Sequence, residues 1–284
     1  MKRHIYFIVF LLIGIVVFGD PLVKLAALSF ESELYSHFLL IPVVSLYFFY
    51  TERKRIFQVV RYAPAIGAVL AAIGTACYWA AYQESDILTR NDFLSLCLSG
   101  FVLWLFGCFW GAYGKRAFHA AMFPLFFLIF MIPIPGFILD PTIRFLQVGS
   151  AHVTHLAFIL VNIPFLRDGM VFELPGLAIE VAEQCSGIRS SLALLITSII
   201  AGYMFLASSK RRLLLVLAVV PITLIKNAIR ITTLTLLAVY IDMSWMTSSW
   251  LHSGGGIVFF VIVLALFLTP TLWLLRRLEK KPAR

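Results

Sequence analysis

Apolar residues run along this chain in long stretches that short polar and charged clusters separate. A helix of about 20 apolar residues is long enough to cross the hydrocarbon core of a bilayer. The pattern therefore predicts an all-α polytopic membrane protein with about eight transmembrane helices, in a single integral membrane domain over residues 1–284. The predicted spans are residues 5–18, 34–50, 64–82, 93–113, 122–138, 187–206, 213–241 and 257–275.

The composition indicates that lipid, and not only water, surrounds the chain. Hydrophobic residues make up 61% of the sequence and charged residues 13%. In soluble domains, about 45–50% of the residues are hydrophobic and about 25% are charged. The first apolar run is followed by Asp20-Pro21 and not by a small-residue cleavage site, so we expect a retained span and not a removed signal peptide.

The basic residues predict the orientation of the spans. The net charge of +9 arises from short clusters between spans, a pattern typical of membrane orientation and not of a nucleic-acid groove. If the N-terminus is cytoplasmic, the inner segments contain only two acids, Glu52 and Glu279. Their basic residues are Lys2, Arg3, Arg53, Lys54, Arg55, Arg61, Lys115, Arg116, Lys210, Arg211, Arg212, Arg276, Arg277, Lys280, Lys281 and Arg284. We therefore expect both termini in the cytoplasm.

One long connection, residues 140–183, is expected to form an extracytoplasmic insertion between the fifth and sixth spans. Residues 140–162 have apolar positions at helical spacing, which predicts an interfacial or re-entrant helix. Turn signals follow at Asp168-Gly169 and Pro175-Gly176. They predict a small β-hairpin or a three-stranded meander.

Cys185 lies in a polar neighbourhood at the outer end of the sixth span. A thiol at a helix N-terminus is exposed to the positive end of the helix dipole, and Arg189 adds positive charge on the same face. Positive charge favours the ionised thiolate form of Cys185, whereas the negative charges of Glu180 and Glu183 disfavour it. The alternative is an inert interfacial cysteine beside an arginine that reaches the lipid headgroups. The other cysteines lie in apolar runs and are expected to pack as small hydrophobic side chains: Cys77, Cys97 and Cys108.

The seventh span carries Lys226, Asn227 and Arg230 within an apolar run. Counted from Leu213 at about 1.5 Å per residue, Arg230 lies roughly 26 Å from the inner edge, just below the outer surface. A charge there is costly unless it faces a polar cavity or partner, although snorkelling to the headgroups is an alternative interpretation. His252 begins the eighth span on the same side, and the alternative for it is a solvated loop position.

The predicted topology brings Cys185, Arg230 and His252 to one membrane surface. A thiol nucleophile, a permanently charged donor and a base of near-neutral pKa are the groups that acyl transfer requires. The sequence therefore favours a cysteine enzyme at the extracytoplasmic surface, with no metal or other cofactor.

An ordered set of motifs over nearly the whole chain resembles the exosortases. These are the bacterial counterparts of archaeosortases, and are multispan membrane cysteine transpeptidases or proteases. The motifs are Tyr35-Ser36-His37, Ile132-Pro133-Ile134-Pro135, Leu166-Arg167-Asp168-Gly169, Glu173-Leu174-Pro175-Gly176, Glu180-Val181-Ala182-Glu183-Gln184-Cys185-Ser186-Gly187-Ile188-Arg189, Asn227-Ala228-Ile229-Arg230 and Leu251-His252-Ser253.

The resemblance implies an activity and a role for each site residue. The family processes exported proteins whose C-terminal sorting signal is a short motif, often Pro-Glu-Pro, followed by a hydrophobic span and a basic tail. Cys185 would be the nucleophile that forms a thioester, with Arg230 and His252 as its catalytic partners, at the outer face of the bacterial cytoplasmic (inner) membrane. The supporting or substrate-binding residues would be His37, Ser186, Gly187, Arg189 and Asn227. Membrane lipid and exported substrates are the expected partners, and the acceptor of the thioester stays open.

Two other classes of function remain as alternatives. A metal-dependent membrane hydrolase would use the outward-facing histidines, but no His-Glu-x-x-His pairing accompanies them. Those histidines are His37, His152, His155 and His252. A transporter would use the charges of the seventh span to line a pathway, but the sequence contains no inverted repeat or midplane pair of broken helices.

Overall fold

The structure is a computed structural model that describes residues 2–182, 187–247 and 255–279. Contacts between Cα atoms divide the chain into two compact units, Met1–Leu139 and Asp140–Arg284. Helices dominate both units, and a small antiparallel sheet belongs to the second.

The helices of the first unit are α1 (Lys2–Val17), α2 (Gly19–Glu31), α3 (Leu40–Thr51), α4 (Arg53–Ile56), α5 (Pro64–Gln83), α6 (Arg90–Ala120) and α7 (Met122–Phe127), with 3₁₀ turns at Glu33–Tyr35 and Leu128–Met131. Helix α8 (Gly136–Leu160) continues into the second unit and is followed by strands β1 (Leu166–Asp168), β2 (Val171–Leu174) and β3 (Leu177–Glu180). The remaining helices are α9 (Ile188–Phe205), α10 (Ser209–Tyr240), α11 (Ser244–Thr247), α12 (Gly255–Val263) and α13 (Thr269–Glu279), with a π-helical segment at Leu264–Leu268.

Many of these helices are long and apolar enough to cross a membrane. Among the described residues there are six, and the pair α1 and α2, bent by 71°, makes a seventh candidate. The six are Pro64–Gln83, Arg90–Ala120, Gly136–Leu160, Ile188–Phe205, Ser209–Tyr240 and Phe259–Glu279. The predicted class, a polytopic helical membrane protein, is confirmed, whereas helix length and composition do not confirm a count of eight spans.

Two predicted spans contain shorter helices than expected. Residues 34–50 hold the 12-residue helix α3, and residues 122–138 hold the six-residue helix α7 and a 3₁₀ turn. Pro133 and Pro135 lack N–H donors and disfavour helical backbone at the residues before them, so regular helix resumes only at Gly136. A pattern of apolar residues alone does not detect this interruption.

The helix predicted over residues 140–162 is present, but it is longer than expected. It forms most of α8, whose 25 residues are long and apolar enough for a membrane span. Its interfacial or re-entrant placement stays a prediction.

Helices α5 and α6 pack with their backbones in contact. A Cβ added at Gly74 would lie 2.4 Å from the carbonyl oxygen of Gly100, and one added at Gly67 would lie 2.7 Å from that of Gly107. A spacing of seven residues places the glycines of each helix on one face. Since lipid tails are as apolar as the helices, close packing through small residues is what holds such helices together.

This contact predicts that Gly74→Ala destabilises the protein by about 1–3 kcal/mol, because the added methyl group cannot be accommodated without separating α5 from α6. Gly19→Ala is the matched control, since a Cβ there meets nothing within 4 Å. The measurement is thermal unfolding of both variants in the same detergent. Equal stability of the two variants would contradict the proposed packing.

In the second unit, α9 and α10 form a helical hairpin that packs against the last helices of the chain. The Glu279 carboxylate accepts hydrogen bonds from the backbone N–H groups of Ala207 (3.1 Å) and Ser208 (2.9 Å), just before α10 begins. The carboxylate thereby fixes the turn that leads into α10 and satisfies the N–H group of its N-cap residue, Ser208. One buried apolar cluster of this unit consists of Leu194, Leu206, Leu215, Val219, Ile222, Val263, Leu268 and Leu275.

The strands form the predicted three-stranded antiparallel meander in the order β1-β2-β3. Val171 lies opposite Glu180, and the two turns contain Gly169 (φ 58°) and Gly176 (φ 81°). Residues with side chains rarely adopt these positive φ angles, which explains why the turn signals in the sequence were informative.

The buried face of the sheet packs onto helices α8 and α10. Phe172 is fully buried in a cluster with Phe158 of α8 and Ile231 of α10. Val181, which follows β3, belongs to the same cluster, and its carbonyl accepts a hydrogen bond of 3.1 Å from Nε2 of Gln147 on α8. The chain is therefore held in a defined position where it approaches residue 183.

Candidate functional site

The predicted site residues differ in whether the structure describes them. Cys185, Ser186 and His252 lie outside the described residues. Gly187, Arg189, Asn227 and Arg230 are described in the second unit, and His37 in the first.

Gly187 forms the turn from which α9 starts. It is buried and has a φ of 75°, in the left-handed region that favours glycine. Its carbonyl oxygen accepts hydrogen bonds from the Ser191 N–H (2.9 Å), the Ser190 hydroxyl (2.9 Å) and the Ser191 hydroxyl (2.7 Å). Three donors on one carbonyl fix the direction in which the chain enters α9.

The same turn lies directly against α10. A Cβ added at Gly187 would lie 3.3 Å from Oδ1 of Asn227 and 3.4 Å from Nζ of Lys226. Asn227 is fully buried and Lys226 is 2% exposed. Glycine at position 187 therefore serves two purposes, a positive φ and the close approach of two polar side chains.

Hydrogen bonds connect these side chains to two further helices. Asn227 donates from Nδ2 to the hydroxyl of Ser150 on α8, at 2.9 Å, and both residues are fully buried. Lys226 donates from Nζ to the hydroxyl of Ser190 on α9. Three helices thus meet at one buried polar contact, which we call the Lys226–Asn227 cluster (Ser150, Gly187, Ser190, Lys226 and Asn227).

The two predicted arginines differ in their surroundings. Arg230 is half-buried and lies one turn of α10 beyond the Lys226–Asn227 cluster, whereas Arg189 is exposed in the first turn of α9. Buried charged and polar groups within a membrane span are costly, and they commonly mark functional sites. The structure therefore brings Gly187 and Asn227 together and places Arg230 next to them along the helix.

His37 belongs to the first unit, between the 3₁₀ turn at Glu33–Tyr35 and α3. It is half-buried. Its backbone carbonyl accepts the N–H groups of Leu40 (3.0 Å) and Ile41 (3.3 Å), which start α3.

The neighbouring Tyr35 connects two of the motifs from the sequence. Its hydroxyl donates to Oδ1 of Asn91 at 2.7 Å, and Nδ2 of Asn91 donates to the carbonyl of Ile134 at 2.6 Å. The Ser95 hydroxyl donates to the carbonyl of Pro133 at 2.6 Å. These bonds fasten the proline-rich segment at the first turns of α6, because its carbonyls have no intrahelical donors.

The two histidines of the insertion have partners of different kinds. Nδ1 of His152 lies 3.3 Å from Nη1 of Arg167, and the ring of His155 packs edge-on against Phe165 at 5.0 Å. Among residues 2–182, 187–247 and 255–279, no group of three or more histidine, cysteine or acidic side chains is arranged to hold a metal ion.

Sequence reasoning missed three members of the Lys226–Asn227 cluster. The sequence shows Lys226 as a charged residue in an apolar run, but no role at the site was predicted for it. A charge that deep in a span requires a polar partner. Ser150 and Ser190 gave no signal, because serine is common where helices pack closely.

Cys97 and Cys108 are buried in α6, and Cys77 is half-buried in α5. All three lie in helices of the first unit, among apolar side chains. This placement agrees with the packing role that the sequence suggested for them.

The fold and these buried polar contacts define a multi-pass helical membrane protein with a small antiparallel sheet. Residues 28–269 match the family described as transmembrane exosortase (Exosortase_EpsH). The match covers most of the chain, which therefore belongs to the transmembrane exosortase family. No curated protein and no solved structure matches the chain.

The geometry predicts that Gly187→Ala destabilises the protein by more than Gly169→Ala. Both glycines have a positive φ, which costs a residue with a side chain about 1–2 kcal/mol. Only Gly187 has Asn227 and Lys226 within 3.4 Å of the new methyl group, whereas the space around Gly169 is open. Thermal unfolding of both variants measures the difference, and a smaller loss for Gly187→Ala would contradict the close contact with α10.

Proposed function

We propose that this protein is a membrane-embedded cysteine protease or transpeptidase that cleaves the C-terminal sorting signal of exported proteins. The observation that carries the proposal is the contact between Gly187 and α10. It connects the start of α9, two residues after Cys185, to the helix that carries Asn227 and Arg230. Membership of the transmembrane exosortase family supports a sorting-related membrane enzyme.

Each proposed residue has a defined chemical task. The Cys185 thiolate attacks the scissile carbonyl carbon, and Arg230 stabilises the oxyanion or binds a carboxylate of the sorting motif. The C–N bond then breaks, and His252 supplies the proton that the leaving amine takes up. The thioester passes to water, an amine or a glycan precursor, and the sulfur leaves as a thiolate. Water makes the enzyme a protease, and either of the others makes it a transpeptidase.

Chain connectivity supports the closeness of Cys185 to this cluster. Consecutive Cα atoms are about 3.8 Å apart, so the Cα of Cys185 lies within about 7.6 Å of the Gly187 Cα. Val181 is fixed on the other side by Gln147. A short connection between two fixed points suits a nucleophile whose position must be held closely.

We further propose eight spans with both termini in the cytoplasm and the site at the outer face. Residues 122–135 combine six α-helical, four 3₁₀ and four non-helical residues, which together extend roughly 30 Å, the thickness of a hydrocarbon core. They run from the C-terminal end of α6 back to its first turns, where Ser95 and Asn91 bind them. This path supports a broken fifth span, and the basic inner connections support the orientation.

Single cysteines placed in a background without the native ones test this topology. Arg55→Cys and Arg211→Cys should react with an impermeant thiol reagent only when it has access to the cytoplasm, because both lie in basic inner connections. Asp168→Cys, in the sheet, should react from outside. Labelling of position 211 from outside would overturn the topology and with it the outer-face site.

Cys185→Ser tests the nucleophile. It keeps the approximate size of the side chain but replaces the thiol by a hydroxyl, which is almost never ionised at neutral pH. The variant should therefore insert normally and lose substrate processing by at least about a hundredfold. The measurement is cleavage of a co-expressed exported protein with a matched C-terminal signal, at equal membrane abundance.

Cys77→Ser, Cys97→Ser and Cys108→Ser are the matched controls and should retain processing, since these thiols lie in α5 and α6 of the first unit. Full processing by Cys185→Ser would rule out the cysteine mechanism and favour a metal-dependent hydrolase. Chelators would then be expected to inhibit substrate processing.

A further inference from the structure

The first unit contains a cavity between α1 and the paired helices α5 and α6. Its volume is about 170 Å³, and its lining is mainly apolar. Tyr6 and Phe10 of α1 form one wall, and Gly67 and Ala68 of α5 with Gly111 of α6 form the other. All of these residues belong to the first unit, whereas the Lys226–Asn227 cluster belongs to the second.

Two contacts hold α1 in place at the two ends of this cavity. Nδ1 of His4 lies 2.9 Å from the Tyr113 hydroxyl, and Nε1 of Trp104 donates to the carbonyl of Phe10 at 3.0 Å. Between these contacts α5 and α6 present glycine and alanine, whose side chains are too short to fill the space. The gap is therefore a consequence of the close packing of α5 against α6.

The cavity opens to the surface of the unit, because Tyr6, Phe10 and Ala68 in its walls are exposed. Atoms that line a gap lose dispersion contacts, so an apolar occupant is favoured. One turn of an α-helix, about 10 Å wide and about 5.4 Å long, occupies more than twice the volume of this cavity. The occupant that fits is therefore an extended hydrocarbon chain and not a protein helix.

One end of the cavity is basic. Arg61 directly precedes Tyr62, which lines the cavity, and Arg3 lies in the first turn of α1. The N–H group of Arg61 donates to the carbonyl of Tyr113 at 3.0 Å, two residues before Lys115. Three cationic residues therefore lie at the end of the cavity where α1 and α5 begin and α6 ends.

No acidic residue offsets these charges within the three segments that form the cavity. Residues 2–17, 53–71 and 107–120 contain neither aspartate nor glutamate. Glu52, which precedes the second segment, forms an ion pair of 3.3 Å with Arg55. The basic end therefore has a net positive charge, and a basic ligand would be repelled from it.

The cations are arranged to bind an oxyanion. Nη1 of Arg3 donates to the carbonyl of Val60 at 2.9 Å, which uses one of the five N–H donors of an arginine and holds the guanidinium at this end. Arg61 and Lys115 are exposed. Arginine and lysine form charge-assisted hydrogen bonds with phosphate oxygens. An apolar cavity that ends at such donors is complementary to a hydrocarbon chain with an anionic headgroup.

We infer that this cavity is a binding site for an anionic phospholipid. One acyl chain lies between α1 and the glycine- and alanine-lined face of α5 and α6, and the phosphate contacts Arg3, Arg61 and Lys115. Tyr6 and Tyr62 lie at the same end of the cavity, and tyrosine is enriched where membrane meets water. The inference does not depend on the proposed function, because it involves neither Cys185 nor a substrate.

The test is thermal unfolding of the full-length protein in detergent with added phospholipid. Phosphatidylglycerol is the anionic probe, and phosphatidylcholine with the same acyl chains is its zwitterionic control. Phosphatidylglycerol should raise the Tm at concentrations at least about tenfold lower than phosphatidylcholine requires, because each basic residue near the headgroup adds attraction.

A substitution that fills the cavity locates the site. Ala68→Leu extends a side chain into the space of the acyl chain and should abolish the stabilisation by phosphatidylglycerol. Ala76→Leu is the matched control, because it makes the same change at an exposed position of α5 outside the cavity. This variant should respond to phosphatidylglycerol as the parent does.

A second set of variants tests the headgroup contacts. Arg61→Gln combined with Lys115→Gln alters only exposed side chains, so normal folding is expected. The pair should raise the required concentration of phosphatidylglycerol about tenfold or more and leave the response to phosphatidylcholine unchanged. Lys210→Gln, an exposed change in the second unit, is the control. If Ala68→Leu does not fold, this pair decides the question.

Three results would overturn the inference. The first is an equal response to the two phospholipids, which would indicate a groove for any lipid chain. The second is a response to phosphatidylglycerol that survives Ala68→Leu or the paired glutamine substitutions, which would place the phospholipid elsewhere. The third is displacement of phosphatidylglycerol by a peptide with a hydrophobic span and a basic tail, which would assign the cavity to the proposed substrate.

Discussion

The constraint on which the second unit depends is the need to satisfy polar groups buried inside apolar helices. Lipid offers no hydrogen bonds, so a buried polar side chain is costly unless another group of the protein bonds to it. Asn227 finds Ser150 on α8, and Lys226 finds Ser190 on α9. These two adjacent residues of α10 therefore determine how three helices meet, more specifically than the apolar contacts around them.

The same constraint explains the candidate site. The turn at Gly187 lies on the Lys226–Asn227 cluster because only a glycine provides both the positive φ and the space. The sheet fixes the other side of residues 183–186, through the burial of Val181 and its hydrogen bond from Gln147. A predicted nucleophile thus lies in a short segment whose two ends are anchored to the same unit of the fold.

Much of this could be predicted from the sequence because lipid imposes a simple rule. Runs of apolar residues identified the long helices, and glycine-containing turn signals identified the meander. The short helix α7 was not predicted, since interruption of a helix by proline depends on which carbonyls find donors elsewhere, as that of Pro133 does with Ser95. Arg230 was predicted as a site residue from the cost of a charge in a span, and Asn227 as a supporting residue from the resemblance to the family. The cluster partners Ser150 and Ser190 were not predicted, because a contact with a residue far away in the sequence leaves no local pattern.

The central claim is that Cys185 forms a covalent thioester with the substrate. Its most direct test is mass spectrometry of the protein after brief reaction with a matched substrate and acid quenching. The account predicts an acyl adduct on the peptide that contains Cys185, which hydroxylamine removes and which is absent from Cys185→Ala. An adduct on a different residue, or continued processing by Cys185→Ala without any adduct, would contradict it.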